Sequence, residues 1–300
     1  MKKILPLVLL FWLLDVSALA QEIQPRAIRN IVYKTVDGQE LKLNLFLPVQ
    51  NGALRRGEPL LLNIDAGCWY SGEPGDGGYW KNFHAVEKGF AVASVTHRSV
   101  AVAPFPAQIE DVKAAIRFLR AHADEYGYDK NRIACMGYSS GGHISCMMGI
   151  PDDVKIFDVG ENLNESSQVQ RVINFYGPTS LDVMSEAPCV ECVYKVLGAP
   201  TINGKQSREI TPERRALAKR CSPLTYASAK SAPTLHFYGV MDRTVPLSQG
   251  VLFYEALYRA GVRTELFISN TGVHAVPSIA EDATLAEKID AFLGWNPLKE

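Results

Sequence analysis

An apolar strand at residues 132–136 runs through Gly137-Tyr138-Ser139-Ser140-Gly141 straight into an apolar helix at residues 143–148. A strand–turn–helix joint of this kind is half of a βαβ unit, and folds that repeat such units have a parallel sheet with helices packed on it. The rest of the chain keeps that rhythm. Residues 60–64 and 90–95 are short buried runs, and residues 172–175, 234–238 and 264–268 add three more strands. Over residues 107–123, Ile109, Val112, Ile116, Leu119 and Ala123 recur at three or four positions, the period of an amphipathic helix. Helices are also expected over 249–260 and 282–292. Ahead of these units, residues 31–47 alternate around Asp37-Gly38, a hairpin turn signal, with Leu41, Leu43, Leu45 and Leu47 on one face of a half-buried second strand. The predicted class is α/β, a mostly parallel sheet flanked by helices and led by antiparallel strands. Residues 185–221 break the rhythm and are expected to form an insertion over the site.

The chain of 300 residues carries a formal charge of −1, so it lacks the basic face that neutralising nucleic-acid phosphates requires. Lys2 and Lys3, the apolar run to Leu14 and the small residues Ala18-Leu19-Ala20 have the form of a secretory signal over residues 1–20, cleaved before Gln21. Asp15 ends the apolar run short of the roughly 18 residues that a spanning helix needs. The expectation is therefore a secreted or periplasmic protein with no membrane anchor after cleavage. Residues 21–300 hold no linker, repeat or long charge run and are expected to form one domain.

Six cysteines are present, at 68, 135, 146, 189, 192 and 221. Cys135 and Cys146 lie in apolar runs and are expected as buried thiols. Cys189-Val190-Glu191-Cys192 has metal-ligand spacing, but no second pair or nearby histidine completes a zinc site, so no metal is expected. A disulfide involving Cys189, Cys192 or Cys221 is expected, with its pairing unreadable from spacing.

Ser139 is the candidate nucleophile, set where a strand turns sharply into a helix whose N-terminal N–H groups face developing negative charge. A serine hydroxyl needs a base to take its proton, and the base needs an acid to orient it. Both are expected in loops after later strands, in the order Ser, Asp, His. Asp242 follows the strand at 234–238 and His274 follows the strand at 264–268. Other candidates have simpler readings. His236 lies within a strand as a core residue, His143 packs or bonds on the nucleophile helix, and His97 ends a strand beside the pocket. His84 and His122 are expected on helix surfaces, with Asp182 and Asp282 as caps or turns. The oxyanion donors are expected to be the N–H of Ser140 and an N–H from the loop after residues 60–64, at Gly67 or Cys68.

With these pieces in place the chain resembles the α/β-hydrolase esterases, in particular the bacterial carboxylesterase and feruloyl-esterase-like (BD-FAE-like) group. The stretches that carry the resemblance are residues 104–111, Gly137 to His143, Phe175-Tyr176-Gly177-Pro178, Ser222-Pro223-Leu224 and Asp242-Arg243-Thr244-Val245-Pro246. Two departures stand out. The group's His-Gly-Gly-Gly-Trp stretch reads Asp65-Ala66-Gly67-Cys68-Trp69 here, and its Tyr-Arg pair reads His97-Arg98. The resemblance implies an α/β-hydrolase fold and hydrolysis of a carboxylic ester through an acyl-enzyme, without a cofactor. Acetyl or feruloyl groups on polysaccharide, or other short-chain esters, are the implied substrates. A serine peptidase shares the order of catalytic groups, and a non-catalytic carbohydrate-binding protein is the contrasting alternative.

Overall fold

The computed structural model describes residues 22–71, 73–75, 84–184, 190–274 and 283–295. Strands β1 (Gln24–Val36) and β2 (Gln39–Gln50) form the leading hairpin, with Asp37 and Gly38 both at positive φ (50° and 80°) in its two-residue turn. That is the turn whose twist matches a hairpin, and it explains the Asp-Gly pair. The short β3 (Ala53–Leu54) pairs with β2.

The parallel body consists of β4 (Glu58–Ile64), β5 (Ala91–Val95), β6 (Tyr128–Tyr138), β7 (Arg171–Phe175), β10 (Thr234–Gly239) and β11 (Thr264–Ser269). The order across the sheet is β1-β2-β5-β4-β6-β7-β10-β11, with the β1–β2 and β2–β5 pairings antiparallel and every later pairing parallel. This is the α/β-hydrolase sheet. Its helices are α1 (Ala107–Ala121), α2 (Ala123–Tyr126), α3 (Ser140–Met148), α4 (Val190–Val196), α5 (Pro212–Arg220), α6 (Leu247–Arg259) and α7 (Ala283–Leu293). A two-stranded ribbon, β8 (Thr201–Ile202) with β9 (Lys205–Gln206), sits apart from the main sheet.

Because helices cover both faces, the central strands are apolar without alternation, as in the fully buried β4. The same cause corrects the expected half-buried β2. Asn44 and Phe46 are buried along with Leu43 and Leu45, so both faces of β2 are covered. Asn44 meets its buried state with two hydrogen bonds, accepting from the Asn30 N–H and donating to the Pro74 carbonyl. The single helix expected over 107–123 is broken at His122, and Gly127 in the left-handed region (φ 87°) ends the second piece. The 185–221 insertion contributes α4, the β8–β9 ribbon and α5. Asp282 lies outside the described residues.

Candidate active site

β6 ends at Tyr138 and α3 begins at Ser140, so Ser139 alone makes the turn. Its backbone sits at φ 52°, ψ −119°, a conformation that costs about 1–3 kcal/mol for a residue with a side chain. Two hydrogen bonds hold it there: the Ser139 N–H donates to the Phe175 carbonyl (3.0 Å), and the His143 N–H donates to the Ser139 carbonyl (3.0 Å). The neighbouring glycines are needed for close approach. A Cβ on Gly137 would stand 2.3 Å from the Gly141 carbonyl oxygen, and one on Gly141 would stand 2.2 Å from that of Ile64. No side chain fits at either position without moving β4 or α3.

His274 Nε2 lies 3.0 Å from Ser139 Oγ, and His274 Nδ1 lies 2.7 Å from Asp242 Oδ2. The carboxylate side chain is fully buried, and its other oxygen accepts the N–H groups of Thr244 (2.8 Å) and Val245 (3.0 Å). An ionised carboxylate in this setting fixes the imidazole with Nδ1–H toward Asp242, leaving Nε2 to accept the serine proton. The ring of Tyr176 packs against the imidazole at a centroid distance of 4.6 Å. Three residues far apart in sequence thus meet at the C-terminal ends of β6, β10 and β11.

Ser140 opens α3, so its N–H belongs to the first helical turn, whose N–H groups have no intrahelical acceptor. The loop after β4 supplies the opposite wall. Gly67, Cys68 and Trp69 all take positive φ (135°, 53° and 60°), which only the glycine adopts without cost. Two tethers hold this loop. A disulfide joins Cys68 to Cys192 in α4, and buried Trp69 donates its indole N–H to His143 Nδ1 (3.0 Å). His143 in turn donates from Nε2 to the Cys221 carbonyl (2.6 Å), and burial pushes its pKa down to about 4, keeping it neutral. Cys68 and Trp69 thus carry side chains into this loop, and both are pinned.

Cys68, Trp69, Ser139, Met184, Cys192 and Val245 are among the walls of a small recess. The insertion therefore closes over Ser139 through α4, as its place in the sequence suggested. Among the described residues no group of three or more His, Cys, Asp or Glu side chains is arranged to hold a metal ion.

A family model, BD-FAE, matches residues 43–257. The chain belongs to the BD-FAE family. Among solved structures, a truncated carbohydrate esterase from gut microbiota superposes with a TM-score of 0.73 at 25% identity, covering 90% of this chain and 95% of that one. The apo form of Thermogutta terrifontis esterase 2 gives a TM-score of 0.70 at 25% identity, over 92% of this chain and 94% of that one. Esterase LipC of Mycobacterium tuberculosis is 28% identical over 211 residues, which are 69% of this chain and 50% of LipC. A probable isoprenylcysteine alpha-carbonyl methylesterase of Arabidopsis thaliana is 25% identical over 83% of this chain and 51% of its own length. The chain thus spans about half the length of these curated relatives.

Within this BD-FAE chain the remaining candidates have structural settings. His236 is buried in β10, facing Asn174 and the ring of Phe253, and burial lowers its pKa to about 3. His97 is buried, with Nδ1 against the Arg98 carbonyl, and burial depresses its pKa. Arg98 grips buried Asp111 through its backbone N–H, Nε and Nη2. The arginine of the His97-Arg98 pair therefore serves a structural ion pair. His84 and Asp182 do not enter the triad; Asp182 accepts from the Ser180 hydroxyl. His122 caps the break between α1 and α2. Sequence reasoning missed the Trp69–His143 bond and, having named Cys192 as a bridge candidate, missed its partner Cys68. A signal for the first existed, since a buried indole N–H needs an acceptor. Cysteine spacing held none for the second. Cys221, a bridge candidate from sequence, is instead a buried free thiol, as are Cys135 and Cys146, while Cys189 lies outside the described residues.

Proposed function

We propose that this protein is a serine carboxylic-ester hydrolase that removes short acyl groups from carbohydrate hydroxyls. The observation that carries the reading is the unbroken chain from the Ser139 hydroxyl through His274 to the buried Asp242, at 3.0 Å and 2.7 Å. His274 Nε2 takes the serine proton as Oγ bonds to the ester carbonyl carbon. The carbonyl oxygen becomes an oxyanion held by the N–H groups of Ser140 and of Gly67 or Cys68. Collapse breaks the bond to the alcohol, which leaves with the proton from His274. Water then attacks the acyl carbon, His274 taking its proton and returning one to Ser139 as the acid departs.

The close walls of the recess, formed by the disulfide, Met184 and Val193, favour acetyl over a bulky aromatic acyl group. The carbohydrate esterase among the structural neighbours supports a sugar alcohol. The bridge between Cys68 and Cys192 supports export with cleavage of residues 1–20, because structural disulfides persist in oxidising compartments. Acid release from acetylated xylan, feruloylated xylan and p-nitrophenyl acetate tests the reading. Turnover of both acetyl esters exceeds that of the feruloyl ester, and Ser139→Ala lowers it by about 10⁶-fold. Undiminished turnover in that variant refutes the mechanism.

A further inference from the structure

Tyr176 is a buried, bulky residue at φ 41°, a region where a side chain is costly and glycine is not. Hydrogen bonds enforce that backbone from both sides. Its own N–H donates to the Phe237 carbonyl (2.8 Å), and the next N–H, of Gly177, donates to Asn174 Oδ1 (2.9 Å). Asn174 Nδ2 donates to the Tyr238 hydroxyl (3.0 Å), which in turn donates to the Gly177 carbonyl. Asn174 and Tyr238 are fully buried, and neither takes part in the proposed hydrolysis. A strained residue held by its surroundings points to a use for the strain. Here the strain presents a ring, which meets the His274 imidazole at a centroid distance of 4.6 Å.

We propose that Tyr176 is a positioning residue, which braces His274 between Ser139 and Asp242 throughout the catalytic cycle. The proposal rests on the hydrolysis at Ser139. The imidazole has two hydrogen-bonded tethers, to Ser139 Oγ and to Asp242 Oδ2. The first is given up once Oγ is bonded to the acyl carbon, yet the imidazole must then stay in place to activate water. The Tyr176 ring is a third restraint, which acylation does not remove. Three consecutive residues at the end of β7 thus carry the alignment. Phe175 accepts the Ser139 N–H, Tyr176 braces the base, and Gly177 seats the segment on α3. A Cβ on Gly177 would stand 2.4 Å from the His143 backbone nitrogen, so only glycine permits that seat. Nucleophile and base are thereby registered against one strand end.

Two readouts test the brace together: steady-state rates on p-nitrophenyl acetate, and the proton NMR signal of the His274 Nδ1–H facing Asp242, assigned by its loss in Asp242→Asn. In Tyr176→Leu, kcat falls by about 10- to 100-fold with KM little changed, because the imidazole is misplaced while the ester still binds. The signal broadens in parallel. Tyr176→Phe keeps the ring and stays within about 2-fold of the wild type, with the signal intact. A sharp signal in Tyr176→Leu overturns the proposal whatever kcat does. So does a loss confined to KM, which would make Tyr176 a wall of the substrate site. An equal loss in Tyr176→Phe also overturns it, since the hydroxyl and not the ring would then matter. Should Tyr176→Leu fail to fold, Tyr238→Phe takes its place. Releasing Gly177 then lowers kcat by about 3- to 10-fold at constant KM, and wild-type kcat overturns the proposal. A wild type that does not hydrolyse the ester, but whose signal broadens in Tyr176→Leu, keeps the brace and removes the hydrolysis reading.

Discussion

Replacing Cys192 by serine cuts the loop of Gly67, Cys68 and Trp69 free from α4 while leaving the side chains of Ser139, Asp242 and His274 untouched. Two separate magnitudes follow. The bridge closes a sequence separation of 124 residues, and chain entropy assigns a loop of that length at most about 5 kcal/mol of stability at 25 °C. The second concerns rate. Cys68 and Trp69 sit at φ 53° and 60°, each costing about 1–2 kcal/mol outside glycine, so the loop relaxes once released. Losing one oxyanion donor outright costs about 10²–10³ in kcat. The Trp69–His143 bond still restrains the loop, so kcat on p-nitrophenyl acetate is expected to fall by roughly 10- to 100-fold, with KM little changed because the oxyanion exists only in the transition state. Denaturant midpoints and initial rates, measured well below the midpoint, read both effects. Cys68→Ser, Cys192→Ser and the double variant should lose the same amount, since each breaks the same bond. A variant that unfolds at the wild-type midpoint refutes the entropy argument. Unchanged kcat refutes the claim that the bridge positions the oxyanion loop.

Asp242→Asn keeps the shape of the site but removes the charge that orients His274, and kcat is expected to fall by about 10⁴-fold; wild-type turnover would pass the role to another carboxylate. Stability is expected to fall as pH drops below 6.5. His97, His143 and His236 are held neutral by burial, the latter two with pKa values lowered to about 4 and about 3, so between pH 6.5 and 4 the unfolded chain binds protons that the folded chain refuses. His143 and His236 each withdraw about 1.4 kcal/mol per pH unit across that window, and His97 acts in the same direction. A denaturation midpoint that stays flat from pH 6.5 to 5, above the carboxylate range, contradicts this account.

The fold and the meeting of Ser139, Asp242 and His274 were legible in sequence because both are written locally. Strand and helix periods expose the βα rhythm, Asp37-Gly38 fixes a hairpin turn, and Gly137 and Gly141 mark a turn where the backbones of β4 and α3 leave no room for a Cβ. Asp242 and His274 could be placed because the strand before each was itself readable. Only the folded chain decided what lies between distant segments. Nothing along the sequence pairs Cys68 with Cys192, joins Trp69 to His143, or sets Tyr176 against His274. Periodicity reports how a segment meets the core, since burial depends on side chains a few positions apart. Which two loops come face to face depends on the order of strands across the sheet, and no short window of residues contains that order.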